Sequence, residues 1–387
     1  MFFDEIIPRK GTHSEKWDEI ENLYGVSLDE GIPMWVADMD FRPPDCVKQA
    51  LKRMLSYGVF GYYGNDVEYR DSISWWMKNR HGWEIDSNSI FTTHGLVNGT
   101  ALCVDAFSKP GEGVILFTPV YHSFFRILKS SNRKIVQCPL ILENGKYKMD
   151  FENYNSMMTG NEKMLILCSP HNPGGRVWNR NELQGVVDFA KNHNLILISD
   201  EIHNDLVYPG KKHIPMPLVD KQISNSLVML TATTKTFNIA GAHTGNVIIE
   251  DPKLRSIFKK RMTALGISPN SFGLFMSEAA YSPEGAEWVD KLNNYLNENR
   301  KLFDKNINKI SGAKSMELEG TYLAWVDFSN TGFTKKEVQN KIQKDAKIAA
   351  NHGDTFGCGG EGFFRFNFAM PRSILKKAIK RLRMVFK

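Results

Sequence analysis

The chain has 387 residues, which is more than a single hydrophobic core usually serves, so we expect two domains. Hydrophobic residues make up 42% and charged residues 24% of the chain, which excludes a disordered protein. The net charge of +6 is mild, and no apolar stretch approaches the roughly 20 residues that cross a bilayer. The basic run KKAIKRLR (376–383) has apolar residues at helical spacing, so a solvated helix face is a simpler interpretation than a nucleic-acid site.

The N-terminal sequence and the cysteines bear on the location of the protein. MFFDEIIPRK lacks the basic start and the longer apolar run of a signal peptide. The five cysteines are scattered and form no CxxC pair, so zinc-type spacing is absent and reduced thiols are expected. We therefore expect a cytoplasmic protein with no metal site that binds neither nucleic acid nor a membrane.

The first two thirds of the chain predict an α/β fold. Residues 1–45 read as an irregular N-terminal arm. In residues 46–285, short apolar runs alternate with helical patterns, which indicates βαβ units and a mostly parallel central sheet. The candidate strands are 113–117, 163–168, 195–199, 226–230 and 245–249. Between the second and the third, Asn179 or Asn181 can cap a helix with one apolar face.

The last third of the chain has a different pattern. TYLAWVDF (321–328) and GFFRFNFA (362–369) alternate as strands do, and a lysine-rich helical stretch separates them. In the second run, the phenylalanines share one face and leave Arg365 on the other. We therefore predict a smaller α+β domain in residues 286–387, next to a large domain in residues 46–285.

Four polar or aromatic residues follow candidate strands, where open α/β sheets bind their ligands. Tyr121 follows the first strand, Asn172 the second, Asp200 the third and Lys235 the fourth. Each residue alone has an ordinary interpretation: a core aromatic, a turn, a helix cap or a solvated lysine. Together they place a ring, an amide, a carboxylate and an amine at one crevice.

This set suits pyridoxal 5′-phosphate (PLP). Lys235 can form an imine with the carbonyl carbon of PLP. Asp200 can pair with the pyridinium nitrogen, which gains roughly 5 kcal/mol for two charges about 3 Å apart at an effective dielectric constant of about 20. Asn172 can donate to the ring oxygen, and Tyr121 can lie against the ring face.

A phosphate group also finds candidate donors in the sequence. GLVNGT (95–100) precedes a helical pattern, and the start of a helix offers free amides to an anion. The hydroxyl groups that can add to these amides are those of Thr231, Thr233 and Thr234.

Several motifs carry a resemblance to a known family: SPHNPGGRVW (169–178), ISDEIHNDLVYPG (198–210), TKTFNIAG (234–241), EGTYLAW (319–325) and GFFRFNFAMPRS (362–373). They resemble the fold-type I PLP-dependent enzymes of the aminotransferase class I/II family. The likeness is greatest to the cystathionine β-lyase or cysteine-S-conjugate β-lyase branch, and it covers nearly the whole chain from residue 34 onward. The resemblance implies the same PLP roles for Lys235, Asp200, Asn172 and Tyr121.

The resemblance also implies roles that the residues alone do not give. Leu96 and Val97 would offer backbone amides to the phosphate, and Tyr62 would reach the phosphate of a neighbouring subunit, which implies a homodimer. Arg365 would bind the α-carboxylate of an amino-acid substrate through its two-pronged guanidinium. Ala37, in MWVADMDF (34–41), would also contact the substrate.

Two histidines favour a lyase over an aminotransferase. His203 stands where many aminotransferases carry a tyrosine that contacts the cofactor, and His243 stands where they commonly place an arginine on the phosphate. The leading hypothesis is a PLP-dependent carbon–sulfur β-lyase that converts cystathionine or cysteine S-conjugates to pyruvate, ammonia and a thiol. The alternatives are an aminotransferase of an L-amino acid and a regulatory or interaction protein that retains the PLP fold.

Overall fold

The helices and strands of the computed structural model are described for residues 2–387. The strands are β1 Ile32–Pro33, β2 Ile90–Thr93, β3 Gly113–Thr118, β4 Lys134–Pro139, β5 Ile141–Glu143, β6 Lys146–Lys148, β7 Glu162–Cys168, β8 Ile196–Asp200, β9 Leu227–Thr231, β10 Gly245–Ile248, β11 Lys314–Ser315, β12 Leu323–Asp327, β13 Ile348–Ala349, β14 Asn351–His352 and β15 Phe363–Asn367. The α-helices are α1 Glu15–Asp18, α2 Ile20–Tyr24, α3 Asp45–Tyr57, α4 Val67–Trp76, α5 Leu96–Phe107, α6 His122–Ser130, α7 Phe151–Met157, α8 Arg180–Asn192, α9 Thr233–Thr236, α10 Pro252–Ala264, α11 Ser271–Ala280, α12 Pro283–Ile307, α13 Lys335–Asn340 and α14 Arg372–Val385.

The central sheet has the strand order β2-β10-β9-β8-β7-β3-β4. Strands β9, β8, β7, β3 and β4 run parallel, and β10 runs antiparallel to both β9 and β2. The five strands predicted from apolar runs are confirmed to within one residue at each end. In the register, Cys168 pairs with Asp200, which pairs in turn with Leu230. Strands β7, β8 and β9 therefore end level, and the segments that follow them leave the sheet along one edge.

Both faces of the central sheet are covered, because its strands are apolar at successive positions. On β7, Leu165 belongs to one buried cluster and its neighbour Ile166 to another. The first cluster includes Val186 of α8, and the second includes Leu102 of α5. This two-sided burial explains why the strands read as continuous apolar runs rather than as alternating ones.

The second sheet is antiparallel, with the strand order β11-β12-β15-β14. The two alternating sequence runs contain β12 and β15, and in the structure Trp325 of β12 pairs with Arg365 of β15. The helix predicted from the basic run is α14, which buries Leu375, Ala378, Ile379 and Leu382 while its lysines are exposed. Among residues 2–387, no helix combines the length and hydropathy that a membrane crossing requires.

The N-terminal arm contains more regular structure than its sequence suggests. Residues 15–24 form the short helices α1 and α2, and strand β1 pairs in parallel with β13, so that Ile32 lies opposite Ile348. The arm therefore joins the C-terminal part of the chain. The domain boundaries near residues 45 and 285 stay a prediction.

Candidate active site

Lys235 lies in α9, the single helical turn that follows strand β9. Its side chain is half-buried, and Nζ donates a hydrogen bond to the backbone carbonyl of Ala37 at 2.5 Å. Burial lowers the pKa of Lys235 to about 8, although the negative charges of Asp38 and Asp200 act in the opposite direction. A fraction of the amine is therefore neutral, and nucleophilic, near neutral pH.

Asp200 is the last residue of β8, and its side chain is buried. Its Oδ1 accepts a hydrogen bond from the backbone amide of Ile202 at 3.2 Å. No lysine, arginine or histidine among the described residues forms an ion pair with it. Burial raises the pKa of Asp200 to about 7, and the neighbouring charge of Glu201 adds to this effect. A buried carboxylate without a cation fits the protonated ring nitrogen of PLP, which would supply the missing charge.

Arg365 lies on β15 and reaches the loop that follows β7. Its guanidinium donates to Oδ1 of Asn172 at 2.9 Å, to the carbonyl of Trp35 at 2.8 Å and to Oδ1 of Asn351 at 2.6 Å. The Nε atom is buried and has no partner within residues 2–387, and no carboxylate of that range pairs with the guanidinium. Burial lowers the pKa of Arg365 to about 10. A buried guanidinium without an anion fits a carboxylate ligand.

Tyr121 and His203 frame the same edge of the sheet. Tyr121 is the residue before α6, is half-buried and has its ring 4.9 Å from that of His122. His203 is buried, its Nδ1 has no hydrogen-bond partner in the described chain, and its ring meets that of Tyr322 edge-on at 6.1 Å. Burial lowers the pKa of His203 to about 3, so its imidazole is neutral at physiological pH.

Helix α5 begins shortly after the end of strand β2. Leu96 and Val97 occupy the first two helical positions, where backbone amides have no acceptor inside the helix. Gly95 precedes them with a φ of +84°, which favours glycine. A Cβ atom on Gly245 would lie 3.0 Å from the Leu96 nitrogen, so glycine also permits the close approach of β10. The anion site expected at this helix N-terminus stays a prediction.

The three predicted phosphate threonines are all buried. The hydroxyl of Thr231 accepts from the side-chain amide of Asn246 at 3.3 Å, and that of Thr233 bonds to Ser277 at 2.8 Å. Thr234 has a hydroxyl without a hydrogen bond within the described range. Their phosphate-binding roles stay predictions.

Tyr62 and His243 lie on the surface of the single chain. Tyr62 is fully exposed, in the segment between α3 and α4. His243 is exposed and adopts a φ of +45° at the end of the short turn Ala240–Ala242. The contact of Tyr62 with a neighbouring subunit and the contact of His243 with the phosphate stay predictions.

The structure adds contacts that the sequence motifs did not reveal. Ala37 was expected at the substrate, but its carbonyl is also the acceptor for Lys235 and for the hydroxyl of Tyr322. Trp35 and Asn351 hold Arg365. A backbone carbonyl carries no sequence signal. Tyr322, however, stands in the EGTYLAW motif, directly before an alternating strand, and could have been singled out.

Comparison with known proteins places the chain in a family. The profile described as "Aminotransferase class I and II" matches residues 30–382. The chain belongs to this family. Among curated proteins, "Cystathionine beta-lyase PatB" of Bacillus subtilis (strain 168) is 36% identical over 386 residues, 99% of each chain. "Protein MalY" of Escherichia coli (strain K12) is 31% identical over 383 residues, 97% of this chain and 96% of the relative.

Solved structures match the whole fold. Cystalysin from Treponema denticola, whose crystal structure contains pyridoxal 5′-phosphate, superimposes with a TM-score of 0.94 at 37% identity, over 99% of this chain and 98% of that one. A PLP-bound C–S lyase from Staphylococcus hominis gives a TM-score of 0.92 at 30% identity, over 100% and 98% of the two chains. The predicted family and α/β fold class are confirmed.

Proposed function

We propose that this protein is a PLP-dependent carbon–sulfur β-lyase that cleaves cystathionine or a cysteine S-conjugate to pyruvate, ammonia and a thiol. The proposal rests on one observation. The buried carboxylate of Asp200 has no cation, the buried guanidinium of Arg365 has no anion, and both groups act on the pKa of Lys235. The first charge matches a pyridinium ring and the second matches an α-carboxylate. Relatives named cystathionine beta-lyase and C–S lyase support the choice of reaction.

PLP, when bound, supplies an electron sink that makes the Cα–H and Cβ–S bonds of an amino acid breakable. Asp200 would hold the proton on the ring nitrogen, because its buried carboxylate has no other cation. Lys235 would bind the cofactor covalently, and its Nζ would accept the Cα proton when the amine is free. A pKa of about 8 suits that second task, because the neutral amine is then available near neutral pH.

The substrate carboxylate would bind at Arg365. Asn172, Trp35 and Asn351 already fix the guanidinium through three oxygen acceptors, so little side-chain freedom remains to be lost on binding. The unpartnered Nε leaves a donor for an incoming carboxylate. These contacts would orient the Cα–H bond without taking part in its cleavage.

The decisive experiment is incubation of the PLP-loaded protein with cystathionine in the absence of any keto acid. We expect pyruvate and a free thiol in equal amounts. Lys235→Ala should abolish both products, whereas Lys253→Ala, at an exposed position of α10, should leave them unchanged. Turnover that requires a keto acid and yields no thiol would instead identify an aminotransferase. If the protein turns over none of the amino acids tested, the result favours a regulatory or interaction protein.

The proposal extends to a homodimer and to a cytoplasmic location. Tyr62 belongs to an exposed apolar surface around the end of α3, and monomeric proteins rarely expose such contiguous patches. The exposed residues of this surface are Leu55, Tyr57, Val59, Phe60, Tyr62 and Val67. A second copy of the chain would cover them. The five cysteines are free, which suits a reducing compartment, and cell fractionation with an antibody tests that location.

A further inference from the structure

The carbonyl oxygen of Ala37 accepts hydrogen bonds from two side chains. Lys235 Nζ donates at 2.5 Å and the Tyr322 hydroxyl donates at 2.9 Å. A backbone carbonyl has two lone pairs, so these two bonds use its full capacity. Lys235 follows β9 of the central sheet, and Tyr322 directly precedes β12 of the second sheet. The Ala37 carbonyl is therefore hydrogen-bonded to one residue from each sheet, and one of these is the reactive amine.

The segment 34–41, which contains Ala37, is held by the side-chain amides of Asn238 and Asn367. Asn238, three residues after Lys235, bonds to the segment through its amide oxygen and its amide nitrogen at 2.8 Å. Asn367 of β15 donates to two further carbonyls of the segment, at 2.7 and 2.5 Å. Because the carbonyls on either side of Ala37 are held, the Ala37 carbonyl can move mainly by rotation of its own peptide unit. The hydrogen bond from the Tyr322 hydroxyl opposes this rotation.

The hydroxyl of Tyr322 is a permanent donor. Its side chain is fully buried, and its ring packs edge-on against that of His203. Burial raises the pKa of Tyr322 well above its ordinary value, so the hydroxyl keeps its proton between about pH 6 and pH 10. A phenylalanine would fill the same space and keep the His203 contact, so the specific contribution of tyrosine is the hydrogen bond.

We propose that Tyr322 is a positioning residue for Lys235, because its hydroxyl holds the Ala37 carbonyl where that carbonyl accepts from the free lysine amine. This inference deepens the proposed function and relies on it for the role of the amine. A carbonyl bonds more strongly to a charged ammonium than to a neutral amine, so a fixed carbonyl favours the charged form. Without the tyrosine hydroxyl the carbonyl can turn away, and Lys235 should lose its proton at a lower pH.

Other charges also act on Lys235 and stay in place when Tyr322 changes. The acids that favour its charged form are Asp38, Asp200 and Glu15, and the cation that opposes it is Arg365. His203 lies near enough for its own pKa to be lowered by Lys235, but it is neutral in the relevant pH range. A change in the titration of Lys235 in a Tyr322 variant therefore reports the lost hydrogen bond.

The test uses the full-length protein freed of PLP and treated with cyanate, which carbamoylates neutral amines. The rate of modification at Lys235 is measured by mass spectrometry between about pH 6 and pH 10. In Tyr322→Phe we expect the midpoint to fall by about 0.5–1 pH unit, a fraction of one charge-assisted hydrogen bond. In the PLP-loaded variant more of the amine is neutral but it is less well oriented toward the Cα proton, so kcat with cystathionine should fall by about 3–10-fold while KM changes less than about twofold.

Tyr154→Phe is the matched control, because Tyr154 is also buried and donates to a backbone carbonyl, that of Pro139 at 2.7 Å. It should leave the Lys235 midpoint unchanged. Equal midpoints in the wild type and in Tyr322→Phe would overturn the proposal. Tyr322→Leu also removes the hydroxyl, and a midpoint lowered in both variants attributes the change to the lost hydrogen bond. The cyanate measurement needs no C–S cleavage, so failure of the lyase assay and failure of this inference are separate results.

Discussion

At the scale of single residues, the candidate site is defined by two opposite charges that the protein buries and leaves unpaired. Asp200 has no cation and Arg365 has no anion among residues 2–387. Burying either charge without a partner is unfavourable, so the ligand-free protein is destabilised. A ligand of the opposite charge removes this destabilisation. The same free energy therefore appears as instability in the empty protein and as affinity in the loaded one.

This cost predicts a pH dependence for the PLP-free protein. The pKa of Asp200 rises from 3.8 in a model peptide to about 7 in the fold, so between these values the folded chain holds a proton that the unfolded chain has lost. The contribution of Asp200 to the free energy of unfolding therefore decreases as the pH rises from about 4 to about 7. Asp200→Asn removes this effect, so its stability relative to the wild type should increase across that window by up to about 4 kcal/mol.

Urea unfolding of both proteins at about pH 5 and pH 8 measures most of this difference. The comparison is needed because His122, His171 and His203 have lowered pKa values, so they contribute in the opposite direction. Their contributions cancel between the wild type and the variant. Added PLP should stabilise the wild type more than Asp200→Asn at pH 8. A stability difference that does not change with pH would show that Asp200 is not a buried unpaired acid.

The residues of the site differ in how far the sequence reveals them. Lys235, Asp200 and Asn172 can be found because each follows an apolar strand at a regular spacing. Arg365 can be placed because the alternation of β15 sets it apart from the phenylalanines. Two of the acceptors around them are backbone carbonyls, those of Ala37 and Trp35, and any residue supplies a carbonyl. Only the folded chain shows which carbonyl lies beside the amine.

At the scale of elements, the apolar runs predict the buried strands well because those strands are covered on both faces. Strands β2 and β4 were not predicted: they lie at the two edges of the central sheet, and most residues of β4 are not fully buried. The two short helices of the arm were also not predicted, because α1 and α2 have only four and five residues. Segments of that length form through contacts with the rest of the protein rather than through helix propensity.

Helix α8 offers a test of one local signal. Either Asn179 or Asn181 could have capped it, and the structure assigns Asn179: its Oδ1 accepts from the Glu182 amide at 3.0 Å, and its own amide donates to the Glu182 carboxylate at 2.8 Å. Asn179→Ala should lower the free energy of unfolding by about 1 kcal/mol. Asn181→Ala should change it by less than about 0.5 kcal/mol, since that side chain is exposed. Equal effects in denaturant unfolding would refute the assigned cap.

At the scale of the whole molecule, the proposed homodimer makes each site depend on two chains. Tyr62 is fully exposed in a single chain, so a role in cofactor binding requires a neighbour. The apolar surface around it would then be an interface rather than a solvated face. Sedimentation measurements should accordingly find two copies per particle.

Mixed dimers test whether the sites are shared. Tyr62→Ala and Lys235→Ala should each be nearly inactive at limiting PLP. If Tyr62 serves the partner's site, co-assembly of the two variants restores one intact site in each mixed dimer, or roughly a quarter of wild-type activity for random pairing. Two affinity tags isolate the mixed species, and a mixture of separately purified dimers that do not exchange subunits is the control. No recovery in isolated mixed dimers would place Tyr62 at the site of its own chain.

The segment 34–41 also has a consequence for how the protein is made. Its contacts with Asn238 and Asn367 bridge 199 and 329 residues of sequence, respectively. Such long loops close late, after the local parts of the fold have formed. A ribosome that has just delivered this segment must therefore synthesise most of the remaining chain before the segment can dock. The contacts of this segment with Asn367 would therefore form only when the chain is nearly complete, so the surroundings of the reactive amine would be finished late in synthesis.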